Sequence, residues 1–228
     1  MIIGGLQKTT LLDFPGRIST LVFTRGCNFY CPYCHNPDLI SADLGFFSVQ
    51  QVLALLKKRT NVLDGLVISG GEPCQHNDLP DFCHQVKGMG YAIKLDTNGS
   101  YPEILDLLLT TGLIDYVAMD IKADPGRYPK ELCASSFSAG IEESIGLIRA
   151  SKLDHEFRVT CVAPFVDVDM AAALGSSCGD SPVLFQRAKL DKVLNPGFFR
   201  SQGKALSDRE IYEVMAVGLA QGLNWGLR

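Results

Sequence analysis

Hydrophobic and polar positions follow one repeating order along this chain: a short apolar segment rich in β-branched residues, a turn, and then a stretch with apolar residues at helical spacing. This order predicts strands at residues 19–24, 65–69, 91–95, 116–121, 156–162 and 182–186. It predicts helices at residues 49–58, 79–87, 102–110, 141–150, 168–176 and 208–222. The expected N-caps are Ser48, Asn77 and Ser207, and the expected helix stops are Gly88 and Gly112.

Strands that alternate with helices predict the α/β class with a parallel sheet, which right-handed crossovers curl into a barrel or wind on both faces. We expect a partial barrel of six strand–helix units. The unusual polar residues favour the barrel because each group follows a predicted strand: Cys27 the first, residues 70–73 the second, residues 96–99 the third, and Asp120 and Lys122 the fourth. Parallel barrels carry their sites at that end of the strands.

Composition narrows the class of protein. The 228 residues carry a net charge of −4 with a pI near 5.5, which argues against a nucleic-acid-binding face. No apolar run reaches the ~18 residues that span a bilayer, and the first residues lack the order of a signal peptide. We therefore expect a cytoplasmic protein without nucleic-acid or membrane partners. We expect one domain over residues 1–228, with a core at about 17–190 and a helical C-terminal extension at about 191–228.

Eight cysteines in such a chain indicate reduced thiols and metal chemistry rather than disulfides. Cys27, Cys31 and Cys34 have the spacing Cys-x3-Cys-x2-Cys. Three thiolates can hold three irons of a cubane iron–sulfur cluster and leave the fourth iron open for a small ligand. The alternative is a zinc site that includes His35, which the adjacency of Cys34 and His35 disfavours. The other cysteines lack ligand spacing and are expected to be buried, and Cys74 is the one that could approach the site.

Several polar positions admit two interpretations from their residues alone. Gly70-Gly71-Glu72-Pro73 allows positive φ and close approach of a ligand to the backbone, or it is an ordinary strand-to-helix turn. Asp120 and Lys122 leave the same face of a strand, where they could bind a ligand or pair with each other. Arg158 could likewise reach a ligand or form an ion pair inside the barrel, and Asn98-Gly99 could be only a turn.

The cysteine loop carries a family resemblance. Arg25-Gly26-Cys27-Asn28-Phe29-Tyr30-Cys31-Pro32-Tyr33-Cys34-His35-Asn36-Pro37 resembles the cluster loop of radical S-adenosylmethionine (SAM) enzymes. Together with Asp13-Phe14-Pro15-Gly16-Arg17, it resembles the activating enzymes of glycyl-radical proteins, especially the activase of anaerobic ribonucleoside-triphosphate reductase. The match is close over about residues 4–40 and continues through weaker motifs to about residue 162.

The resemblance implies a TIM-like partial (β/α)6 barrel that holds a [4Fe-4S] cluster on Cys27, Cys31 and Cys34, with SAM at the open iron. It implies reductive cleavage of SAM to a 5′-deoxyadenosyl radical, which takes a hydrogen atom from the substrate. That chemistry belongs to the cofactors, so no side chain is expected as a catalytic acid or base.

The resemblance also assigns residues to the cofactors. The backbone of the Gly-Gly-Glu-Pro segment would meet the methionine amino group, and Lys122 would meet the methionine carboxylate. By its position between two of the cysteines, Tyr33 could also offer its ring to a stacked base. The full set expected at SAM is Tyr33, Gly70, Gly71, Glu72, Asp96, Asn98, Lys122, Arg158 and Gln186. Asp96, Thr97 and Asp120 resemble the monovalent-cation site of pyruvate formate-lyase activases. Gln186 lies where that type carries a His, which is a departure from its pattern.

The expected substrate is a protein. Only about thirty residues separate Cys34 from the second predicted strand, so there is no room for the ferredoxin-like insert of many glycyl-radical activases. A minimal barrel suits a glycine loop of a larger partner, here anaerobic ribonucleotide reductase, with a flavodoxin or ferredoxin as the implied electron donor. The alternatives are another glycyl-radical enzyme such as pyruvate formate-lyase, a small substrate as in the deazaguanine synthases, and a non-catalytic metal or electron-transfer module, which the Gly-Gly-Glu-Pro loop disfavours.

Overall fold

A sheet of parallel strands forms the centre of the protein, as seen in a computed structural model that describes residues 1–41, 46–133 and 138–228. The strands are β1 (Ile3–Thr10), β2 (Ser19–Thr24), β3 (Gly65–Gly70), β4 (Ala92–Thr97), β5 (Tyr116–Asp120), β6 (Asp154–Ala163), β7 (Val183–Arg187), β8 (Lys204–Ala205) and β9 (Trp225–Leu227). Strands β2 to β7 lie side by side in chain order, each parallel to the next. They are the six predicted strands, and they form the core of a partial TIM-like barrel.

The helices connect these strands and cover the outer face of the sheet. They are α1 (Asp38–Ser41), α2 (Val49–Lys57), α3 (Leu79–Lys87), α4 (Pro102–Thr110), α5 (Ser138–Ser151), α6 (Val168–Cys178), α7 (Pro196–Ser201) and α8 (Asp208–Leu219), with a short 3-10 helix at Pro73–Gln75. The six predicted helices are confirmed, with ends that differ by at most three residues. Within the described residues, no helix combines the length and the apolar character needed to cross a membrane.

The helix ends follow most of the predicted signals. Ser48 and Ser207 each form a capping box, in which the Ser side chain and the third helical residue exchange hydrogen bonds. Gly112 follows α4 with a φ of +66°, as a helix stop requires. The prediction of Asn77 as the cap of α3 is wrong, since Asp78 holds that position and the Leu79 N–H instead donates to the His76 carbonyl of the preceding turn.

Both edges of the sheet differ from the prediction. Strand β1 pairs antiparallel with β2, and β9 pairs parallel with β7. The alternation in β1 is obscured because the strand contains Gly4 and Gly5 and its pairing is irregular at two places. The C-terminal segment, expected to be helical, also contains the short strands β8 and β9, and Trp225 packs against Phe185 at a ring distance of 5.2 Å.

A turn closes the barrel at the end opposite to the loops after the strands. Pro15 and Gly16, which has a φ of +70°, form the turn in which the Arg17 N–H donates to the Phe14 carbonyl at 3.2 Å. The buried Phe14 ring packs with Leu21, Val67 and Ala92. Val67 and Ala92 share a strand face with residues nearer the strand ends that line the cavity described next, so this cluster forms the floor of the barrel interior.

Candidate active site

A cavity of about 200 Å³ lies where β2 to β5 run into their following loops, and β6 and β7 complete its wall. The structure brings nearly all of the predicted site residues to this one wall. They are Cys27, Cys31, Tyr33, Cys34, Gly70, Gly71, Asp96, Thr97, Asn98, Asp120, Lys122, Arg158 and Gln186. Of the predicted site residues, Glu72 alone is absent from the wall. Cys74, the other cysteine that could approach the site, is buried and bonded to Glu72, and it does not line the wall either.

The three cysteines of the loop after β2 contribute one side of the cavity. Cys31 is buried, while Cys27 and Cys34 are partly exposed. The Cys34 N–H donates to the Cys31 carbonyl at 2.9 Å, which keeps the loop compact. Burial raises the pKa of both the Cys27 and the Cys31 thiols to about 12. These two groups are therefore protonated at neutral pH in the protein alone, and a metal must displace their protons on binding.

The two glycines after β3 allow the backbone to pass directly against the start of the cysteine loop. Gly70 has a φ of +124°, and the Gly71 N–H donates to the Thr24 carbonyl at 2.9 Å. A Cβ atom on Gly71 would lie 1.8 Å from the Gly26 carbonyl oxygen. That same oxygen accepts the Glu72 N–H at 2.8 Å. The glycines thus serve contact between two protein loops, a reason that the motif by itself does not reveal.

The Glu72 side chain, which belongs to the segment whose backbone is expected at the cofactor, binds protein groups. It is fully buried, and its carboxylate accepts hydrogen bonds from the Asn98 N–H at 2.7 Å, the Thr97 hydroxyl at 2.7 Å and the Cys74 N–H at 3.0 Å. Burial raises the pKa of Glu72 above its ordinary value, against the effect of these hydrogen bonds. Glu72 therefore joins the loop after β3 to the loop after β4.

Asn98 connects the cysteine loop to the loop after β4. Its side-chain amide donates to the Asn28 side chain at 3.1 Å and contacts the Cys27 sulfur at 3.9 Å. Its carbonyl oxygen accepts from the Ser100 N–H at 2.9 Å and from the Ser100 hydroxyl at 2.6 Å. Sequence reasoning missed Asn28 and Ser100, because no spacing signal links residues so far apart in the chain. Gly99, with a φ of +75°, forms the turn expected there.

A layer of buried charges supports the cavity from within the barrel. Asp96 pairs with Lys94, whose side chain is almost completely buried, and with Arg158 at 3.5 Å. Burial would raise the pKa of Asp96, but the charges of Arg158 and Lys94 hold it below its ordinary value. Arg158 also binds Glu156 at 2.6 Å, and Glu156 accepts from the Tyr116 hydroxyl at 3.0 Å. Arg158 therefore both lines the cavity and forms the interior ion pair that was the alternative interpretation.

Sequence reasoning missed Lys94, although a signal was present. Lys94 lies two residues before Asp96 in β4, between apolar neighbours, so its side chain leaves the same face of the strand as Asp96. A charged residue at such an interior position indicates a buried partner.

Lys122 presents a protonated ammonium group to the cavity. Its nitrogen lies 3.2 Å from the Asp120 carboxylate, and both residues line the wall. Burial alone would lower the pKa of Lys122, but Asp120 and Cys31 raise it well above its ordinary value. A cation in this partly enclosed position suits a guest that carries a carboxylate.

Tyr33 supplies a buried polar atom to the same wall. The residue is 3% exposed, its ring lies 5.9 Å from that of Phe165, and its hydroxyl has no hydrogen-bond partner within the described residues. A buried hydroxyl of this kind costs free energy unless a ligand or water satisfies it. Gln186, partly buried in β7, lines the wall on the far side of the barrel.

The three residues expected to bind a monovalent cation already have protein partners. Asp96 is paired with Lys94 and Arg158, Asp120 is paired with Lys122, and the Thr97 hydroxyl donates to a carboxylate. Within residues 1–41, 46–133 and 138–228, no group of three or more His, Cys, Asp and Glu side chains surrounds a position for a single metal ion.

Comparison with known protein families shows to which superfamily the chain belongs. The family model of the Radical SAM superfamily matches residues 21–173, which include the cysteine loop and most of the cavity wall. The chain belongs to the radical SAM superfamily. Membership confirms the resemblance and the partial-barrel core, and it implies SAM and an iron–sulfur cluster.

The relatives of this radical SAM enzyme include activating enzymes. A protein of Methanocaldococcus jannaschii, provisionally named a glycyl-radical enzyme activating enzyme, is 34% identical over 128 residues, which cover 56% of this chain and 52% of that protein. The pyruvate formate-lyase-activating enzyme of Clostridium pasteurianum is 34% identical over 127 residues, 53% of this chain and 52% of the relative. The 7-carboxy-7-deazaguanine synthase of Aquifex aeolicus is 33% identical over 85 residues, 37% and 38% of the two chains. The radical SAM chain thus spans about half the length of these curated relatives, or less.

Among solved structures, the fold resembles that in the crystal structure of QueE from Escherichia coli. The two share 15% identity and a TM-score of 0.59, over 100% of this chain and 93% of that chain. At this level of identity, the likeness concerns the fold alone.

The cavity fits the cofactors that the radical SAM superfamily implies. Three thiols on one loop match a cluster in which each thiolate binds a different iron. The Lys122 ammonium group offers a partner for the methionine carboxylate of SAM. The Tyr33 hydroxyl, which has no partner in the described part of the chain, offers a hydrogen bond to a nucleoside.

Proposed function

We propose that this radical SAM enzyme makes a glycyl radical on a partner protein, and that the partner is anaerobic ribonucleoside-triphosphate reductase. One observation carries the radical SAM chemistry of the proposal: three cysteines, a protonated lysine and a buried hydroxyl without a hydrogen-bond partner within the described residues converge on one cavity at the ends of the parallel strands. The names of the activating relatives support the choice of a glycyl-radical substrate.

The residues of the cavity have separate tasks in this proposal. Cys27, Cys31 and Cys34 hold a [4Fe-4S] cluster. When bound, the cluster supplies the electron that cleaves the C5′–S bond of SAM to methionine and a 5′-deoxyadenosyl radical, which takes a hydrogen atom from a glycine Cα to give 5′-deoxyadenosine and the glycyl radical. Lys122 holds the methionine carboxylate by a charge-assisted hydrogen bond. A flavodoxin or ferredoxin is the proposed one-electron donor.

Other wall residues bind the rest of SAM. The backbone at Gly70 and Gly71 receives the methionine amino group, while Tyr33, Asn98 and Gln186 receive the nucleoside. Arg158, held by two carboxylates, contributes a fixed positive charge beside the ligand. The proposal includes no monovalent cation, because the carboxylates that would bind one are already paired with Lys or Arg. All eight cysteines are free thiols, which suits a cytoplasmic enzyme.

The test is to mix the reduced, iron-reconstituted enzyme with SAM and the reductase under anaerobic conditions. We expect 5′-deoxyadenosine and a glycine-centred doublet in the electron paramagnetic resonance spectrum. SAM cleavage without a doublet on the reductase would contradict the reductase as the partner, and pyruvate formate-lyase would be the next protein to test. Absence of SAM cleavage in protein that holds a full cluster would remove the proposed function.

A second candidate function is radical chemistry on a small molecule. One observation favours it: one relative, 33% identical over 85 residues, is named a 7-carboxy-7-deazaguanine synthase. Turnover of a small substrate by the enzyme alone, without a protein partner, would establish this candidate over the first.

A further inference from the structure

A closed set of side-chain hydrogen bonds lies beside Cys27, the first cysteine of the loop after β2. The Asn98 amide donates to the Asn28 oxygen at 3.1 Å, and the Asn28 amide donates to the Ser100 hydroxyl at 2.9 Å. That hydroxyl donates back to the Asn98 oxygen at 2.6 Å, and we call these three residues the amide network. Asn98 and Ser100 are buried and Asn28 is half-buried, so the network is largely shielded from water.

The amide network determines which end of the Asn98 amide faces Cys27. The Ser100 backbone N–H can only donate, and it donates to Asn98 Oδ1 at 2.9 Å, so Nδ2 must lie on the other side of the amide. One hydrogen of Nδ2 is bonded to Asn28, and the nitrogen lies 3.9 Å from the Cys27 sulfur. The Phe29 N–H also donates to this sulfur, at 3.4 Å. Cys27 therefore receives a side-chain donor whose direction is set by two residues, Asn28 and Ser100, that do not line the cavity.

We propose that Asn28 and Ser100 are positioning residues, which hold the Asn98 N–H on the Cys27 sulfur and thereby make the iron–sulfur cluster easier to reduce. Reduction adds one electron to the cluster, and hydrogen bonds to its sulfurs are among the factors that set its potential. An N–H donor stabilises the more negative, reduced form more strongly than the oxidised form. The inference rests on the cluster of the proposed function, held by Cys27, Cys31 and Cys34, and is independent of the partner protein.

The test is an anaerobic redox titration of the reconstituted enzyme without SAM, in which electron paramagnetic resonance measures the reduced cluster. Asn28→Ala removes two hydrogen bonds of the amide network while it leaves the Asn98 side chain present. At a fixed potential, we expect the ratio of reduced to oxidised cluster to fall by about threefold to tenfold, the range for one hydrogen bond. Since a tenfold change is 59 mV for one electron, the midpoint potential should become about 30–60 mV more negative.

Two further variants separate a positioning role from general loosening of the loop after β4. Ser100→Ala removes the hydroxyl and should lower the midpoint potential by less than Asn28→Ala does, because the Ser100 N–H still holds the Asn98 oxygen. The matched control is Ser144→Ala, because the buried Ser144 hydroxyl donates to the Gly99 carbonyl of the same loop at 2.7 Å without belonging to the amide network. It should lower stability to urea and leave the midpoint potential unchanged.

The inference would be overturned by wild-type midpoint potentials in Asn28→Ala and Ser100→Ala, by a shift to more positive potential, or by an equal shift in Ser144→Ala. If Asn28→Ala does not retain a full cluster, Ser100→Ala decides. Loss of the cluster from both variants would show that the amide network only supports the loop, and would also overturn the inference. A wild-type enzyme that holds a cluster but makes no glycyl radical on a partner would contradict the proposed function alone, whereas one that binds no cluster would contradict both.

Discussion

Replacing Gly71 by Ala tests whether contact between two loops determines the shape of the site. The new Cβ would lie 1.8 Å from the Gly26 carbonyl oxygen and 2.6 Å from its carbonyl carbon. Both are backbone atoms, which cannot rotate away as a flexible side chain can. Gly71 does not have a positive φ, so the effect arises from this contact and not from backbone strain. The two loops must therefore separate.

The magnitude follows from two contributions. Inserting a methyl group into a filled position costs about 1–3 kcal/mol. Separation of the loops also stretches the hydrogen bonds from Gly71 to Thr24 and from Glu72 to Gly26, each with a net value of about 0.5–1.5 kcal/mol. The sum is about 2–6 kcal/mol. For a protein of this length, about 2–4 °C accompanies each kcal/mol, so a loss of about 4 kcal/mol lowers the melting temperature by roughly 8–16 °C.

The assay is urea and thermal unfolding followed by circular dichroism, with iron bound per chain measured after reconstitution. We expect Gly71→Ala to unfold at lower urea and to bind less iron, because the displaced loop carries Cys27. Gly146→Ala is the matched control, since its added Cβ meets no atom within 4 Å and it lies inside α5. There Ala should raise stability by up to about 1 kcal/mol. Equal unfolding midpoints for wild type and Gly71→Ala would refute the reasoning.

Three further predictions concern the wall and its supports. Cys31→Ala should lose bound iron and SAM cleavage because it removes a thiolate, whereas Cys83→Ala, buried in α3, should keep both, as iron analysis and 5′-deoxyadenosine assays can show. Glu72→Gln should lower stability to urea by about 2 kcal/mol, because one amide oxygen cannot accept from all three donors. The positive charges of Arg158 and Lys94 hold the pKa of Asp96 below its ordinary value of 3.8. Its stabilisation is therefore present above pH 3.8 and lost as the pH falls through the lower folded-state value, and the stability difference from Asp96→Asn should shrink in acid.

Each of these predictions has a clear opposing result. Iron retained by Cys31→Ala at the wild-type level would contradict the cluster assignment. An unchanged urea midpoint in Glu72→Gln would mean that its three hydrogen bonds do not hold the two loops together. A stability difference between wild type and Asp96→Asn that stays constant from neutral to acid pH would show that Asp96 is not stabilised as a charged group.

The strands and helices of the centre could be predicted because their signals are local. Strand β2 is an apolar, β-branched run with the predicted ends, and α3 and α4 also have their predicted ends. The same signals placed the candidate residues at the ends of parallel strands, so their convergence on one cavity could be anticipated. The edge strands β1 and β9 could not be predicted, because β1 contains two glycines and β9 has only three residues.

The sequence by itself determined that Cys27, Cys31 and Cys34 lie together on one loop, because eight consecutive residues contain all three, and their spacing predicts one shared set of metal ligands. Only the tertiary structure decided what supports that loop. Glu72 binds Asn98 across 26 positions of the chain, and Asn28 bonds to Ser100 across 72. Such partners depend on which loops the barrel brings together, and neither hydrophobic period nor motif spacing carries that information.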